Sequence, residues 1–242
     1  MKKFPDEGEI FKAKDKKSDA LIFFVHFYNG HKKAMLRHIR FVNQLGYDAY
    51  AFNLRDQMKQ HFMLPYSPIS KKFGMKHALA DQIEEHLDLL SDYKTKIMFA
   101  FSNVAACAIE VMARRPDINF KSMICDSGPT LDFLKSAYNL YAYAEPTPLR
   151  ALTAPLFALA WSKDMHKDLH SDLRKLRSEF PVLSIRGWKD KLISPAGIDQ
   201  VFEPCHNLVW QKLSLPEAQH LTGLRDFPNE YKPVVEEFLK QN

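Results

Sequence analysis

The amino-acid sequence predicts an α/β protein in which a mostly parallel sheet is covered by helices on both faces. Two observations carry this prediction. Short apolar runs bounded by turn residues are typical of buried strands. Between them lie longer segments with apolar residues at three- and four-residue spacing, which is typical of helices. Strands that alternate with helices along a chain favour a parallel sheet with helices on both faces.

The predicted elements follow in chain order. An edge strand and six buried strands are expected at Ile10–Lys14, Leu21–His26, Ala49–Leu54, Ile97–Phe101, Ser122–Asp126, Val182–Arg186 and Leu208–Leu213. The helices between and after these strands are expected at Leu36–Leu45, Lys76–Leu90, Val104–Arg114, Pro195–Phe202 and Glu230–Lys240. Each helix has one apolar face, which it can bury against the sheet.

Residues 131–179 break this alternation, because they contain no strand pattern. Three consecutive helices are expected there instead, at Leu131–Tyr143, Leu149–Trp161 and Lys163–Arg177. We therefore predict one domain, whose α/β core comprises residues 1–130 and 180–242. The helical segment 131–179 is predicted to be a cap, or lid, inserted before the sheet resumes.

Composition excludes several classes of protein. The 242 residues are 46% hydrophobic and 26% charged, which is the balance of an ordinary globular protein rather than a disordered one. The net charge of +5 is spread along the chain without a basic stripe, so we expect no nucleic-acid partner. The longest apolar stretches, Ala20–Val25 and Ala154–Trp161, are shorter than the ~20 residues that span a bilayer, so no stable membrane insertion is expected.

Glycine and cysteine usage narrow the classes further. No two of the eight glycines are closer than ten residues, so neither a Rossmann G-x-G-x-x-G site nor a P-loop can be written. No cofactor is implied. Three cysteines without a C-x-x-C pair indicate reduced thiols, and no apolar run follows Met1–Lys3 as in a signal peptide. We therefore expect a cytoplasmic protein.

Three residues that follow predicted strands form a candidate catalytic set. Active residues of parallel α/β sheets lie at the carboxyl ends of strands. Ser102 follows one strand and begins a helix, Asp190 follows a later strand, and His220 lies in the loop after the last strand. These residue types divide the work of acyl transfer: the serine attacks, the imidazole takes its proton, and the carboxylate orients the imidazole.

The chain order serine, aspartate, histidine resembles that of the α/β-hydrolase family. Four stretches carry the resemblance, namely a strand with a His-Gly loop, a strand ending in Leu-Arg, an acid loop and a histidine loop. They are Leu21–Gly30, Gly46–Arg55, Gly187–Asp190 and His220–Gly223. The resemblance covers most of the chain from Leu21 onward. It implies the α/β-hydrolase fold and a Ser102–His220–Asp190 triad.

The resemblance also implies an oxyanion hole, in which the backbone N–H groups of Tyr28 and Asn103 hold the negative charge of the intermediate. At two positions this sequence departs from the family. The elbow pattern G-x-S-x-G is replaced by Ala100-Phe101-Ser102-Asn103-Val104, so a β-branched side chain must find room where the family has glycine. Phe27 replaces the usual glycine of the oxyanion loop.

The residues themselves leave alternatives open. Ser102 is also a favoured residue type for capping the helix that follows it. Asp126 also follows a strand and is an alternative triad acid. His26, at a strand end, is better explained by structural hydrogen bonding near the oxyanion loop than by proton transfer.

Three further groups of residues have more than one interpretation. The aromatic residues of the insertion either line an acyl pocket or pack the lid, and they are Phe133, Tyr138, Tyr141, Phe157 and Trp161. The predicted substrate pocket comprises Phe27, Phe133, Tyr138 and Trp161. His166 and His170 have metal-ligand spacing, but an apolar stripe on the same predicted helix indicates that both face solvent, so no metal is expected. The loop Asp56–Ser70, with Met58, Phe62, Met63 and Tyr66, either forms another pocket wall or covers the edge of the sheet.

The sequence thus favours a serine hydrolase that cleaves a carboxylic ester or thioester of an apolar acyl group. The alternative is a catalytically impaired α/β-hydrolase-like binding or scaffold protein, suggested by Val104 and Phe27. Geometry separates the two: an enzyme needs His220 within hydrogen-bond distance of Ser102 Oγ and an open pocket beside it. The expected partner is a small-molecule substrate, and the sequence does not predict an oligomeric state.

Overall fold

The computed structural model describes residues 4–55, 65–142 and 147–242, without the side chains of Thr147 and Arg150. Its strands are β1 Glu9–Phe11, β2 Leu21–Val25, β3 Asp48–Ala51, β4 Tyr66–Ser67, β5 Lys72–Phe73, β6 Thr95–Phe101, β7 Asn119–Asp126, β8 Phe180–Gly187 and β9 Leu208–Leu215. Within these residues, seven strands form one sheet in the order β1-β3-β2-β6-β7-β8-β9, and β4 pairs with β5. Only β1 runs antiparallel to its neighbour in the described sheet.

The helices of the described chain cover both faces of this sheet. They are α1 Leu36–Gln44, α2 Met75–Asp88, α3 Ala105–Arg114, α4 Phe133–Ala142, α5 Thr147–Trp161, α6 Leu169–Arg174, α7 Pro195–Phe202, α8 Gly223–Asp226 and α9 Pro228–Gln241. Short 3₁₀ turns precede α1 and α3, at Lys32–Met35 and Ser102–Val104. The predicted α/β class with a mostly parallel sheet is confirmed.

The central strands are apolar at nearly every position because both of their faces are buried. Along β2, Phe23 packs into the core beneath α2, α3 and α7, whereas the next residue, Phe24, packs into the core beneath α1 and α9. Each such side chain stabilises the fold by about 1.5–3 kcal/mol when fully buried. This two-sided burial explains why the strands read as continuous apolar runs.

Helices α4, α5 and α6 lie between β7 and β8, within the predicted insertion, whose residues 143–146 fall outside the described chain. Helix α5 buries one side, where Ala154, Phe157, Ala158 and Trp161 join the core. Its other side exposes a row of leucines at three- and four-residue spacing, which are Leu149, Leu152, Leu156 and Leu159. Helix α5 is therefore apolar on two opposite sides.

The predicted helix Lys163–Arg177 is wrong over its first part, because α6 spans only Leu169–Arg174. Residues 163–168 form turns, in which Met165 and His166 have φ angles of 44° and 71°. These left-handed conformations rotate the chain so that His166 points inward and is fully buried. The expectation that His166 faces solvent is therefore also wrong.

Three local elements escaped prediction, namely β4, β5 and the single-turn helix α8. Strands of two residues and a helix of four give too little periodicity to be distinguished from a loop. Of the predicted wall residues, Met58, Phe62 and Met63 lie outside the described residues, whereas Tyr66 lies in β4 and is exposed. No helix in the described part of the chain is long and apolar enough to cross a lipid bilayer.

Candidate active site

Ser102 lies on a sharp turn at the carboxyl end of β6. Its φ angle is 56°, a left-handed conformation in which a residue other than glycine is strained by about 1–3 kcal/mol. The 3₁₀ turn Ser102–Val104 and then α3 follow at once. Such a turn between strand and helix lifts a serine Oγ above the edge of the sheet.

The space that this turn needs comes from Gly128 in the loop after β7. A Cβ atom on Gly128 would lie 2.6 Å from both the carbonyl carbon and the carbonyl oxygen of Ser102, so only glycine fits. Val104 is fully buried in the core cluster of α2 and α3 and does not line the cavity at Ser102. The side chains of Ala105, Ala106, Cys107 and Ala108 beside it are small and also buried.

Two hydrogen bonds join the three predicted catalytic residues. His220 Nε2 lies 3.0 Å from Ser102 Oγ, and His220 Nδ1 lies 2.6 Å from Asp190 Oδ2. The Asp190 side chain is 1% exposed, whereas that of His220 is 21% exposed. With the imidazole neutral and its hydrogen on Nδ1, Nε2 is free to accept the proton of the Ser102 hydroxyl.

The Asp190 carboxylate is held by three donors. Its Oδ1 accepts hydrogen bonds from the backbone N–H groups of Leu192 at 2.7 Å and Ile193 at 2.9 Å, while Oδ2 faces His220. This loop joins β8 to α7, whose N-cap Ser194 accepts a hydrogen bond from the N–H of Gly197. The carboxylate is therefore fixed before any substrate binds.

Backbone contacts also hold the acid loop against the histidine loop. The N–H of Lys189 donates to the carbonyl oxygen of Ala218 at 3.0 Å. A Cβ atom on Gly187 would lie 2.3 Å from that same oxygen, so the close approach requires glycine. On the other side of His220, the N–H of Leu221 donates to Ser127 Oγ at 3.1 Å.

The alternative acid, Asp126, is engaged elsewhere. Tyr231 donates from its hydroxyl to Asp126 Oδ2 at 2.7 Å, and the Ser127 hydroxyl donates to Oδ1 at 2.9 Å. Burial, followed by the negative charge of Asp126, raises the pKa of Tyr231 well above its ordinary value, which keeps Tyr231 a donor. Asp126 thus links β7 to α9 and to the loop beside His220.

His26 has the structural hydrogen bonds expected of it. Its Nδ1 donates to the carbonyl oxygen of Phe27 at 2.7 Å, and its Nε2 accepts from the N–H of Leu54 at 2.9 Å. Burial lowers the pKa of His26 to about 4, so the ring is neutral near pH 7. It fastens the loop after β2 to the residues after β3.

A cavity of about 250 Å³ opens beside Ser102 and His220. Phe27, Phe133, Phe157 and Trp161, which the sequence offers as pocket residues, line it together with further residues. The lining residues that escaped prediction as pocket residues include Tyr28, Ser136, Ala137, Leu140, Leu192 and Leu221. Most of this lining is apolar, and aromatic side chains from α4 and α5 form one wall.

Tyr138 was predicted to line the pocket, and it does not. It is 36% exposed, because Phe133, Ala137 and Leu140 form the face of α4 that borders the cavity. Position 138 is one residue beyond Ala137 and is therefore rotated by about 100° away from that face. The spacing of Phe133, Ala137 and Leu140 was the signal that would have found the correct face.

Both predicted oxyanion donors border the cavity with Ser102. Tyr28 also contacts α5, since its ring centroid lies 5.3 Å from that of Phe157 and 6.1 Å from that of Trp161. Asn103 donates from Nδ2 to Ser136 Oγ at 2.8 Å and accepts at Oδ1 from the N–H of Thr130 at 3.3 Å. The residue after the serine is thereby bonded to the insertion.

One group of side chains has the spacing of a metal site. The ligand atoms of His77, Asp164 and Asp168 lie within 4.8 Å of one another in the described chain. However, Lys76 Nζ lies 2.6 Å from Asp168 Oδ2, and Lys72 Nζ lies 3.6 Å from Asp164 Oδ2. Burial opposes the charge of Lys76, yet Asp168 and Glu110 raise its pKa above the ordinary value. The carboxylates of Asp164 and Asp168 are therefore each already paired with a lysine ammonium group.

The two histidines with metal-ligand spacing in the sequence serve separate structural roles. His166 donates from Nδ1 to the carbonyl oxygen of Thr130 at 2.7 Å, and its Nε2 accepts from Trp161 Nε1 at 2.8 Å. His170 Nε2 lies 2.8 Å from the carbonyl oxygen of Gln200. They therefore do not converge on a common point.

Comparison with known proteins identifies the fold. No family model and no curated protein matches this sequence. Solved structures do match: the Pyrococcus furiosus esterase Pf2001 has 21% identity and a TM-score of 0.68, and the match covers 94% of this chain and 84% of that one. MGS-M2, an α/β hydrolase enzyme from a deep-sea metagenome, has 17% identity and a TM-score of 0.64 over 97% and 94% of the two chains. Proline iminopeptidase of Mycobacterium smegmatis has 15% identity and a TM-score of 0.65 over 97% and 94%.

Proposed function

We propose that this chain, whose fold is that of the α/β-hydrolases, is a serine hydrolase that cleaves a carboxylic ester or thioester of an apolar acyl group. The observation that carries the proposal is the continuous pair of hydrogen bonds from Ser102 Oγ to His220 at 3.0 Å and from His220 to Asp190 at 2.6 Å. These bonds end at a serine that borders an apolar cavity. A serine that merely capped α3 would need neither a base nor an oriented acid.

The first half of the reaction acylates the serine. Ser102 Oγ attacks the substrate carbonyl carbon while His220 Nε2 takes the hydroxyl proton, and Asp190 stabilises the imidazolium that forms. The backbone N–H groups of Tyr28 and Asn103 hold the tetrahedral oxyanion. The C–O or C–S bond then breaks, and His220 returns the proton to the leaving alcohol or thiol.

The second half releases the acid. Water attacks the acyl carbon of the ester on Ser102, and His220 Nε2 takes a proton from that water. The second tetrahedral intermediate expels Ser102 Oγ, which regains its proton from His220. The reaction consumes one water molecule for each ester and requires no cofactor.

The cavity lining supports an apolar acyl group as the substrate moiety. Phe133, Phe157 and Trp161 form an aromatic wall, in which the rings of Phe133 and Trp161 stack at 5.3 Å between centroids. An acyl chain packed there leaves water, which favours binding by about 25 cal/mol for each Å² of apolar surface buried. Because this wall comes from α4 and α5, we propose that residues 131–179 are the lid that shapes the acyl pocket.

Two observations favour this proposal over a binding or scaffold protein. His220 lies within hydrogen-bond distance of Ser102 Oγ, and Val104 is packed into the core rather than into the cavity. Phe27 borders the cavity but leaves about 250 Å³ of it open. The two bulky replacements that suggested an impaired enzyme therefore leave room for a substrate.

The test is the Ser102→Ala variant, assayed with short p-nitrophenyl esters and a fluorophosphonate probe. We expect the rate of ester hydrolysis to fall by up to about 10⁶-fold, to the rate that the remaining binding groups support, and we expect labelling by the probe to disappear. Ser122→Ala is the matched control, because it removes another buried serine hydroxyl, on β7. Full activity or labelling in Ser102→Ala would overturn the proposal.

A further inference from the structure

The hydrogen bonds of Asn103 reach from the nucleophile turn into the insertion. One end of its amide donates to Ser136 Oγ on α4 at 2.8 Å, and the other accepts from the N–H of Thr130 at 3.3 Å. Ser136 and Thr130 are 3% and 2% exposed. Both polar ends of the Asn103 side chain are therefore paired inside the protein, and neither pair involves an ionised group.

The connection continues beyond Thr130. His166 donates to the Thr130 carbonyl oxygen at 2.7 Å and accepts from Trp161 Nε1 at 2.8 Å. His166 is fully buried, and burial lowers its pKa to about 3, so one neutral tautomer satisfies both bonds. We call Asn103, Thr130, Ser136, His166 and Trp161 the Asn103 network. It joins the start of α4 and the end of α5 to the residue after Ser102.

The position of the Asn103 backbone bears directly on the proposed reaction. Its N–H belongs to the peptide that follows Ser102, whose left-handed φ of 56° is strained. Strained backbone persists only where its surroundings hold it in place. A reacting group that moves by about 1 Å loses about a hundredfold in rate. Anchoring the Asn103 side chain on two sides restricts the movement of this N–H.

We propose that the Asn103 side chain is a positioning residue: by bonding Ser136 and Thr130, it holds its own N–H at the oxyanion position and couples that position to the packing of α4. This inference rests on the proposed function, since it presupposes an oxyanion. The packing of the insertion therefore sets the rate of the chemical step as well as the shape of the acyl pocket.

The test compares Asn103→Ala and Ser136→Ala with the control Ser122→Ala. We expect kcat for p-nitrophenyl acetate to fall about tenfold in Ser136→Ala and up to about a hundredfold in Asn103→Ala. KM should stay within about twofold, because the lost interaction acts mainly in the transition state. Ser122→Ala should keep the native kcat, since the Ser122 hydroxyl has no hydrogen-bond partner in the described chain.

A tetrahedral adduct provides a readout that a merely structural role would not move. An aryl trifluoromethyl ketone adds to the serine and presents an oxyanion, so its inhibition constant should weaken by the same factor as kcat falls. The double variant Asn103→Ala/Ser136→Ala should lose no more than Asn103→Ala alone, because both changes break the same bond.

Unchanged kcat in both variants, or a loss confined to KM, would overturn the inference while the native protein still hydrolyses esters. An inactive native protein that also resists the fluorophosphonate would instead overturn the proposed function, and the inference with it. Thermal unfolding of each variant shows whether it is folded. If Asn103→Ala does not fold, Ser136→Ala decides, because it deletes a single oxygen atom.

Discussion

Two groups of residues with different chemistry help to hold the helical segment between β7 and β8 against the rest of the described chain. The Asn103 network consists of neutral hydrogen bonds beside Ser102. The second anchor, which we call the ionic anchor, comprises Lys76, Glu110 and Asp168: Lys76 Nζ lies 2.6 Å from Asp168 Oδ2 and 3.5 Å from Glu110 Oε2. None of these three residues lines the cavity. A carboxylate beside the proposed oxyanion would oppose its charge, and the separation keeps the negative charges of this anchor out of the cavity at Ser102.

The two anchors also differ in what they stabilise. A neutral hydrogen bond contributes about 0.5–1.5 kcal/mol to folding, whereas removing one partner of a buried ion pair costs about 3–5 kcal/mol. Lys76 is fully buried, and Glu110 is 4% exposed. We expect the ionic anchor to act on stability alone and the Asn103 network to act on the geometry of the site as well.

The largest effect on stability is expected from Lys76→Met. It removes the fully buried cation between Glu110 and Asp168 and leaves only Arg114 and His77 beside the first and Lys72 beside the second. The free energy of unfolding should therefore fall by up to about 3–5 kcal/mol while kcat changes little. Denaturant unfolding and ester hydrolysis measure the two quantities. Lys72→Met is the control, because Lys72 is 46% exposed and should contribute less than about 1 kcal/mol. Equal losses in both variants would contradict the distinction between buried and exposed cations.

A comparable loss of stability is expected from His166→Phe. It leaves Trp161 Nε1 and the Thr130 carbonyl oxygen unpaired in the interior, and each of these two groups costs about 1–3 kcal/mol. Unlike Lys76→Met, it should also lower kcat, since it breaks the Asn103 network. His170→Phe, which removes one bond to Gln200 near the surface, is the control. A His166→Phe protein with native kcat would show that the insertion does not influence the catalytic step.

The pH dependence of stability should separate the anchors. His166 protonates below its ordinary pKa of 6.5 when unfolded, but only near 3 when folded, so stability falls as the pH drops from 6.5 toward 3. Burial opposes the ionisation of Glu110, but its contacts with His77, Lys76 and Arg114 outweigh burial and lower its pKa from 4.5 to about 2. The contribution of Glu110 to stability is therefore lost as the pH falls below 4.5.

Each group contributes at most about 1.4 kcal/mol per pH unit within its window. His166→Phe should flatten the stability curve between pH 6.5 and about 3, and Glu110→Gln should flatten it between pH 4.5 and about 2, so only His166→Phe changes the slope between pH 6.5 and 4.5. His26, with a folded pKa of about 4, contributes between pH 6.5 and 4 in the native protein and in both variants. Identical slopes in native and variant proteins would contradict the assignment of these windows.

The meeting of Ser102, Asp190 and His220 could be predicted from sequence because each of them follows a different strand. Parallel strands end at one edge of the sheet, so residues as distant in sequence as Ser102 and His220 meet there. The fold class could also be predicted, because the strands are apolar on both faces and the helices are apolar on one. These are periodic signals spread over many residues, which makes them robust.

The rest depended on single residues whose effect is set by tertiary contacts. His166 points inward because Met165 and His166 have left-handed backbone conformations, and neither position is a glycine, the residue that would have indicated such a conformation in the sequence. Likewise, the solvent-facing position of Tyr138 depends on the rotation of α4 about its axis, which the packing of Phe133 and Ala137 determines. The partners of Asn103 lie 27 and 33 residues further along the chain, so no local pattern could reveal them.

Gly128 has a consequence for how this sequence can change over evolutionary time. The conformation of Ser102 leaves no room for a side chain at position 128, because a Cβ atom there would lie 2.6 Å from the Ser102 carbonyl group. Position 128 therefore accepts no larger residue, whereas positions 100 and 104 already hold the side chains of Ala100 and Val104. The pattern G-x-S-x-G, which is written only around the serine, does not match this chain. Gly128, 26 residues after Ser102, nevertheless leaves the space that the Ser102 backbone needs.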